Sequence, residues 1–169
     1  MFTYFFSFSR CCLFSILLLL SFPLMADFEI GGNGYRIVSA TGILSELNIV
    51  ARQHEDKSSG MMLYTQKTQE SVEPLYAHVA VQCMGMRSDG NLAVAAGPIK
   101  SYFDPSAQLL TEDWLFVVVL DSGEAGDQVA VYTLSGEQAL QRCQHPDLET
   151  FFPGYVADGN FKINSHALN

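Results

Sequence analysis

The sequence predicts an all-β fold, an antiparallel β-sandwich or small β-barrel of about eight strands. Three observations predict it. Apolar and polar residues alternate with period two from Leu75 to Met86. The most apolar stretch after residue 26, Trp114 to Leu120 (WLFVVVL), is short, rich in β-branched and aromatic residues, and ends at an acidic turn holding glycine. Turn residues recur at a spacing of roughly ten residues, the rhythm of short strands joined by tight connections.

Taken in chain order, Gly31-Gly32-Asn33-Gly34 reads as a flexible entry to a strand over Tyr35 to Ser39. Leu47, Ile49 and Ala51 alternate with Asn48, Val50 and Arg52, a second strand. His54 to Gly60 is polar and turn-like, Met61 to Thr65 is a short strand, and Lys67 to Pro74 is a polar connector. In the strand Leu75 to Met86, the alternation puts Leu75, Ala77, Val79, Val81 and Cys83 on the core face. Tyr76, His78, Ala80, Gln82 and Met84 fall on the other face. Ser88-Asp89-Gly90-Asn91 supplies a turn, Asn91 to Ala96 runs back as a hairpin partner, and Gly97-Pro98 marks a bend or an edge. A turn or two of helix is expected within Asp104 to Asp113, with Asp104 as cap and Pro105 in the first turn. Trp114 to Leu120, apolar on both faces, is expected to be a central strand covered on both sides. Asp121 to Asp127 is a turn, Gln128 to Leu134 returns, and Phe161 to Ile163 closes the chain.

The first twenty-six residues stand apart. Met1 to Ala26 carries one charged side chain, Arg10, then an apolar run from Cys11 to Leu20, then Ser21-Phe22-Pro23 and a small residue at Ala26. That is the layout of a secretory signal peptide cleaved near Ala26. A spanning helix needs about 20 apolar residues, more than this run offers. The expected domains are therefore a signal peptide, 1–26, and a single exported β domain, 27–169, secreted or periplasmic. The membrane enters only through the signal peptide during export.

Removing Arg10 takes the formal net charge from −9 to −10. No stretch of sequence clusters Lys and Arg, so the phosphate contacts that nucleic-acid binding requires are not provided. Cys83 and Cys143 are the cysteines left after residue 26, and in an oxidising compartment such a pair reads as a disulfide.

Three further groups are candidate sites. Asp121, Glu124 and Asp127, separated by glycines, are carboxylates on one loop that could hold calcium; a solvated hairpin turn is the favoured reading. Met61, Met62, Tyr64, Met84, Met86 and Phe116 could line one apolar cavity of a ligand-carrying barrel; ordinary core filling is favoured. His78 could act as a base or ligand but falls on the face read as solvent-exposed. No catalytic residues are assigned, because nucleophile, base and orienting group cannot be assembled from these residues. GxSxG, HExxH and phosphate-loop motifs are absent.

An ordered set of short motifs runs through the second half of the chain. They are Cys83, Asp89-Gly90-Asn91, Phe116 to Asp121, Ser122-Gly123-Glu124, Asp127-Gln128, Cys143 and Gly159-Asn160-Phe161-Lys162-Ile163. In order and spacing this set resembles a group of small, uncharacterised, secreted bacterial β domains. The resemblance implies export, an all-β fold and the Cys83–Cys143 bridge, and implies no activity. The expected function is thus a non-enzymatic binding or structural module with a protein or cell-surface partner. An apolar-ligand carrier and a calcium-stabilised surface module are the alternatives.

Overall fold

The computed structural model describes residues 27–38, 43–67, 74–103, 113–123, 126–148 and 158–166. The segment read as a signal peptide, the helix expected at 104–112 and Glu124 lie outside them; Asp113 opens a strand. The fold is all-β, as expected: one antiparallel sheet curled into a half-barrel, with one short helix.

The strands are β1 (Asp27–Val38), β2 (Ile43–His54), β3 (Lys57–Lys67), β4 (Leu75–Ala80), β5 (Cys83–Met86), β6 (Leu92–Phe103), β7 (Asp113–Leu120), β8 (Gln128–Ser135) and β9 (Asp158–His166). Their order across the sheet is β8-β7-β6-β4-β3-β2-β1-β9, with β5 also on β6. β8 and β9 are therefore the two ends of the sheet. β2 and β3 are joined by the two residues Glu55 and Asp56, with Glu55 at a φ of 51°.

β1 is longer than expected. The glycine run is not a flexible entry but lies inside the strand, because β9 pairs along it and brings Phe161 opposite Gly32. A Cβ on Gly34 would stand 2.6 Å from the Phe161 ring, and one on Gly32 would overlap the Asn160 carbonyl. Two glycines thus make room for one buried aromatic ring.

The strand expected over Leu75 to Met86 is broken at Val81-Gln82 into β4 and β5. The pairing slips between His78 and Val79, Gln82 N–H donates to Ala96 O, and a Cβ at Gly97 would overlap the Ala80 carbonyl. Pro98 has no N–H to give to the ladder. The bend expected at Gly97-Pro98 is this irregularity. It overturns one expectation: Cys83 does not point with the valines. Val79, Val81 and Met84 share the concave core, and Cys83 faces the other way. An extra residue in a strand exchanges the faces of everything after it.

Two cores result. The concave side of the sheet is filled by Phe28, Ile30, Leu47, Ile49, Met62, Val79, Leu115, Val117, Val119 and Phe161, among others. On the opposite side, Leu92, Val94, Ala96, Phe116, Val118 and Ala130 lie beneath a helix, α1 (Gly136–Gln144). β7 is covered on both faces, as its apolar run predicts. α1 was not expected. It opens with a capping box: Gln138 N–H donates to Ser135 Oγ at 3.3 Å, and Ser135 N–H donates to the Gln138 side chain at 3.3 Å.

Cys83 on β5 and Cys143 on α1 lie at disulfide distance, with Cα atoms 6.0 Å apart. Ala139 and Cys143 are the helix's buried residues, so the bridge is its main anchor. Arg142 adds a second hold, its guanidinium 5.4 Å from the Phe116 ring centre and 5.8 Å from that of Tyr132.

The helix is also tied at its far end. Asp147, in the 3-10 turn Pro146–Leu148, accepts from Ser88 N–H at 3.0 Å and Ser88 Oγ at 2.9 Å. These bonds, the backbone one first, hold the Asp147 carboxyl below its ordinary value. The hydrogen bond from Arg87 does the same for Asp89 in the same turn. A carboxyl whose folded pKa is depressed adds stability above its unfolded value and loses it as pH falls through the folded one. We expect the Ser88–Asp147 clasp to stay closed down to the ordinary carboxylate value of 3.8 and to open only below it. An NMR titration of the Ser88 amide checks this; a transition above pH 4.5 (roughly one-half to one unit above the unperturbed range) contradicts it.

Candidate functional site

The acidic loop between β7 and β8 has a structural task. Asp121 follows the last residue of β7 and Asp127 precedes the first of β8. Asp127 is buried; its Oδ2 accepts from Phe161 N–H at 2.7 Å and its Oδ1 from Ser122 N–H at 3.2 Å. Asp121 accepts from Ile163 N–H at 3.3 Å and Gly123 N–H at 3.1 Å. Phe161 and Ile163 sit on β9, the last strand of the sheet. Two carboxylates from the opposite end thus satisfy amides on its outer edge, where a further strand would otherwise pair. Among the described residues no group of three His, Cys, Asp or Glu side chains is placed to hold a metal ion.

We expect Asp127→Asn to destabilise the fold by about 2 kcal/mol, because an amide nitrogen would replace one acceptor and face a buried donor. Asp121→Asn is expected to cost less, since its bonds are longer and more exposed. Thermal melts of the two variants give the comparison, and faster amide exchange at Phe161 in Asp127→Asn localises it.

Of the six residues considered as a cavity lining, four share the concave core and two do not. Met62 and Met84 are buried in the concave core, with Tyr64 and Met86 packed against it. Phe116 belongs to the core under α1, and Met61 is 61% exposed on the convex side. His78 is exposed on β4, on the face expected. His54 Nδ1 lies 2.6 Å from Asp27 Oδ2 at the β2–β3 turn.

What the structure assembles instead is a face. α1 covers the convex side of β5 to β8; among the described residues nothing covers the convex side of β9, β1, β2, β3 and β4. The register aligns rows across it. One row runs Lys162, Gly31, Val50, Met61, Ala80; the next runs Asn160, Asn33, Asn48, Leu63, His78. Val50 is 74% exposed and stands directly opposite Met61. Alternation places Arg52, Lys57, Lys67 and Lys162 on the same face, with Lys100 beside it on β6; it places Asp27, Glu29 and Glu46 there too, of which Glu29 is paired with Arg52 and Asp27 with His54. Arg52 donates through Nε to Glu29 at 2.6 Å; the four lysines have no carboxylate partner among the described residues.

These five are scattered over more than a hundred positions, so the sequence shows no basic cluster. Only the folding of the sheet collects them, on a chain that is otherwise strongly acidic. The register rows are the signal that sequence reasoning lacked.

No protein-family model matches the chain, and neither the curated proteins nor the solved structures contain a match.

Proposed function

We propose that the chain is the precursor of an exported, non-enzymatic binding module that docks an acidic protein partner on the convex face of β9-β1-β2-β3-β4. The observation that carries this is the exposed Val50–Met61 pair at the centre of a lysine-rimmed sheet face. A large apolar residue exposed alone is ordinary; a cross-strand pair with unpaired cations around it suits a partner. The face, five strands about 4.8 Å apart and some nine residues long, offers roughly 600 Å², near the lower range for one side of a specific interface. Export is supported by the apolar leader ending at Ala26 and by the cysteine pair at disulfide distance. The resemblance to secreted bacterial β domains agrees with it. The carrier reading ranks behind, since the concave side is filled by side chains and the methionines divide between faces.

Site-specific photo-crosslinking in the producing cells tests the proposal. A crosslinker at Met61 is expected to give discrete adducts that Val50→Lys abolishes, with none from Gln141 on α1. Equal adducts from both positions, or none from either, would overturn it. An adduct of twice the chain's mass would replace the partner with a second copy.

A further inference from the structure

Within that face, β1 holds a glycine that packing does not require. Gly32 and Gly34 lie against Phe161 and Gly159, where a Cβ would collide. Gly31 is different: a Cβ there meets nothing within 4 Å, and its φ is one that any residue adopts. A strand-interior glycine with room for a side chain costs stability and gains no packing. The remaining structural reason for such a glycine is close approach from outside.

Gly31 forms the floor of an open notch of about 340 Å³. Val50 forms one wall, the Glu29–Arg52 ion pair one end, Ser59 and Gly60 the far side, and Asn164 the β9 side. Lys162 stands opposite Gly31 in the register. We infer that this notch is a recognition subsite for an aromatic side chain flanked by carboxylates on the protein partner, an inference that rests on the docking face proposed above.

Two arrangements within the same molecule show why a ring fits. On the concave face of β1, the Phe161 ring packs against the bare backbone of Gly32 and Gly34. Gly31 offers a shorter bare floor on the convex face, between Glu29 and Asn33 of the same strand. Under α1, the Arg142 guanidinium covers the Phe116 and Tyr132 rings. Arg52 at the rim can meet a ring the same way. Lys162, which has no carboxylate partner among the described residues, then favours an acidic neighbour of that ring, and the Val50 wall favours its apolar edge.

The variant Gly31→Val fills the notch without a collision, so it separates binding from folding. We expect its melting temperature to hold or rise, because valine suits a strand better than glycine. The probe is the peptide acetyl-Glu-Phe-Glu-amide, followed by amide chemical shifts of the oxidised protein, with acetyl-Glu-Ala-Glu-amide as control. The Phe peptide is expected to move Gly31, Val50, Arg52 and Gly60 and to bind at least tenfold more tightly than the Ala peptide. Gly31→Val is expected to remove those shifts. Shifts that do not gather at the notch, or that survive Gly31→Val, would overturn the subsite. If Met61 adducts persist in that case, the subsite alone fails; if they are also missing, the docking face fails with it.

Discussion

Replacing both bridging cysteines, Cys83→Ala with Cys143→Ala, is expected to lower the stability of the oxidised protein by about 4 kcal/mol, or about 15 °C in melting temperature. The bridge closes a loop of 60 residues, and the entropy withheld from the unfolded chain sets the size of the effect. The native state adds a local reason. α1 has nine residues, too few to be stable alone, and buries little beyond Ala139 and Cys143. Without the bridge, the helix is held by Ala139, by Arg142 over two rings, and by the Asp147–Ser88 bonds. Amide exchange in α1 should therefore accelerate far more than in β1 or β2. Urea titration with and without reductant provides the measurement. A loss below 1 kcal/mol (well under the usual range for a native bridge) would mean that packing, not the crosslink, seats the helix.

Much of this fold was legible because strand periodicity is local. Leu47, Ile49 and Ala51 face inward as their alternation predicts, and the both-faced burial of β7 follows from its unbroken apolar run. The face of Cys83 was not legible, because the break at Val81-Gln82 depends on Gly97 and Pro98 of the partner strand. α1 was legible in principle: Ser135 and Gln138 stand at capping-box spacing, but an alternating strand runs straight into them. The acidic loop invited a cation reading because its donors are remote. Phe161 lies 34 residues from Asp127 and Ile163 lies 42 from Asp121. The proposed docking face was illegible for the same reason, since each of its cations is isolated along the chain.

The remoteness of those partners gives Phe161 its weight, and Phe161→Ala is expected to cost about 4 kcal/mol. The side chain is 1% exposed and belongs to the concave core, while its backbone amide is bonded to Asp127. Its ring covers the bare backbone of Gly32 and Gly34, so truncation leaves a cavity floored by glycines that no neighbouring side chain can fill. Phe161→Leu should recover part of the loss by refilling volume without restoring the ring's contact with both glycines. Gly34→Ala supplies the decisive comparison. Alone it forces a methyl against the ring and is expected to cost about 2 kcal/mol. Added to Phe161→Ala it meets no ring and should cost much less, a coupling of at least 1 kcal/mol in the double-mutant cycle. Additive costs would show that the close approach of Gly159 and the β9 backbone, not the ring, is what requires glycine at position 34.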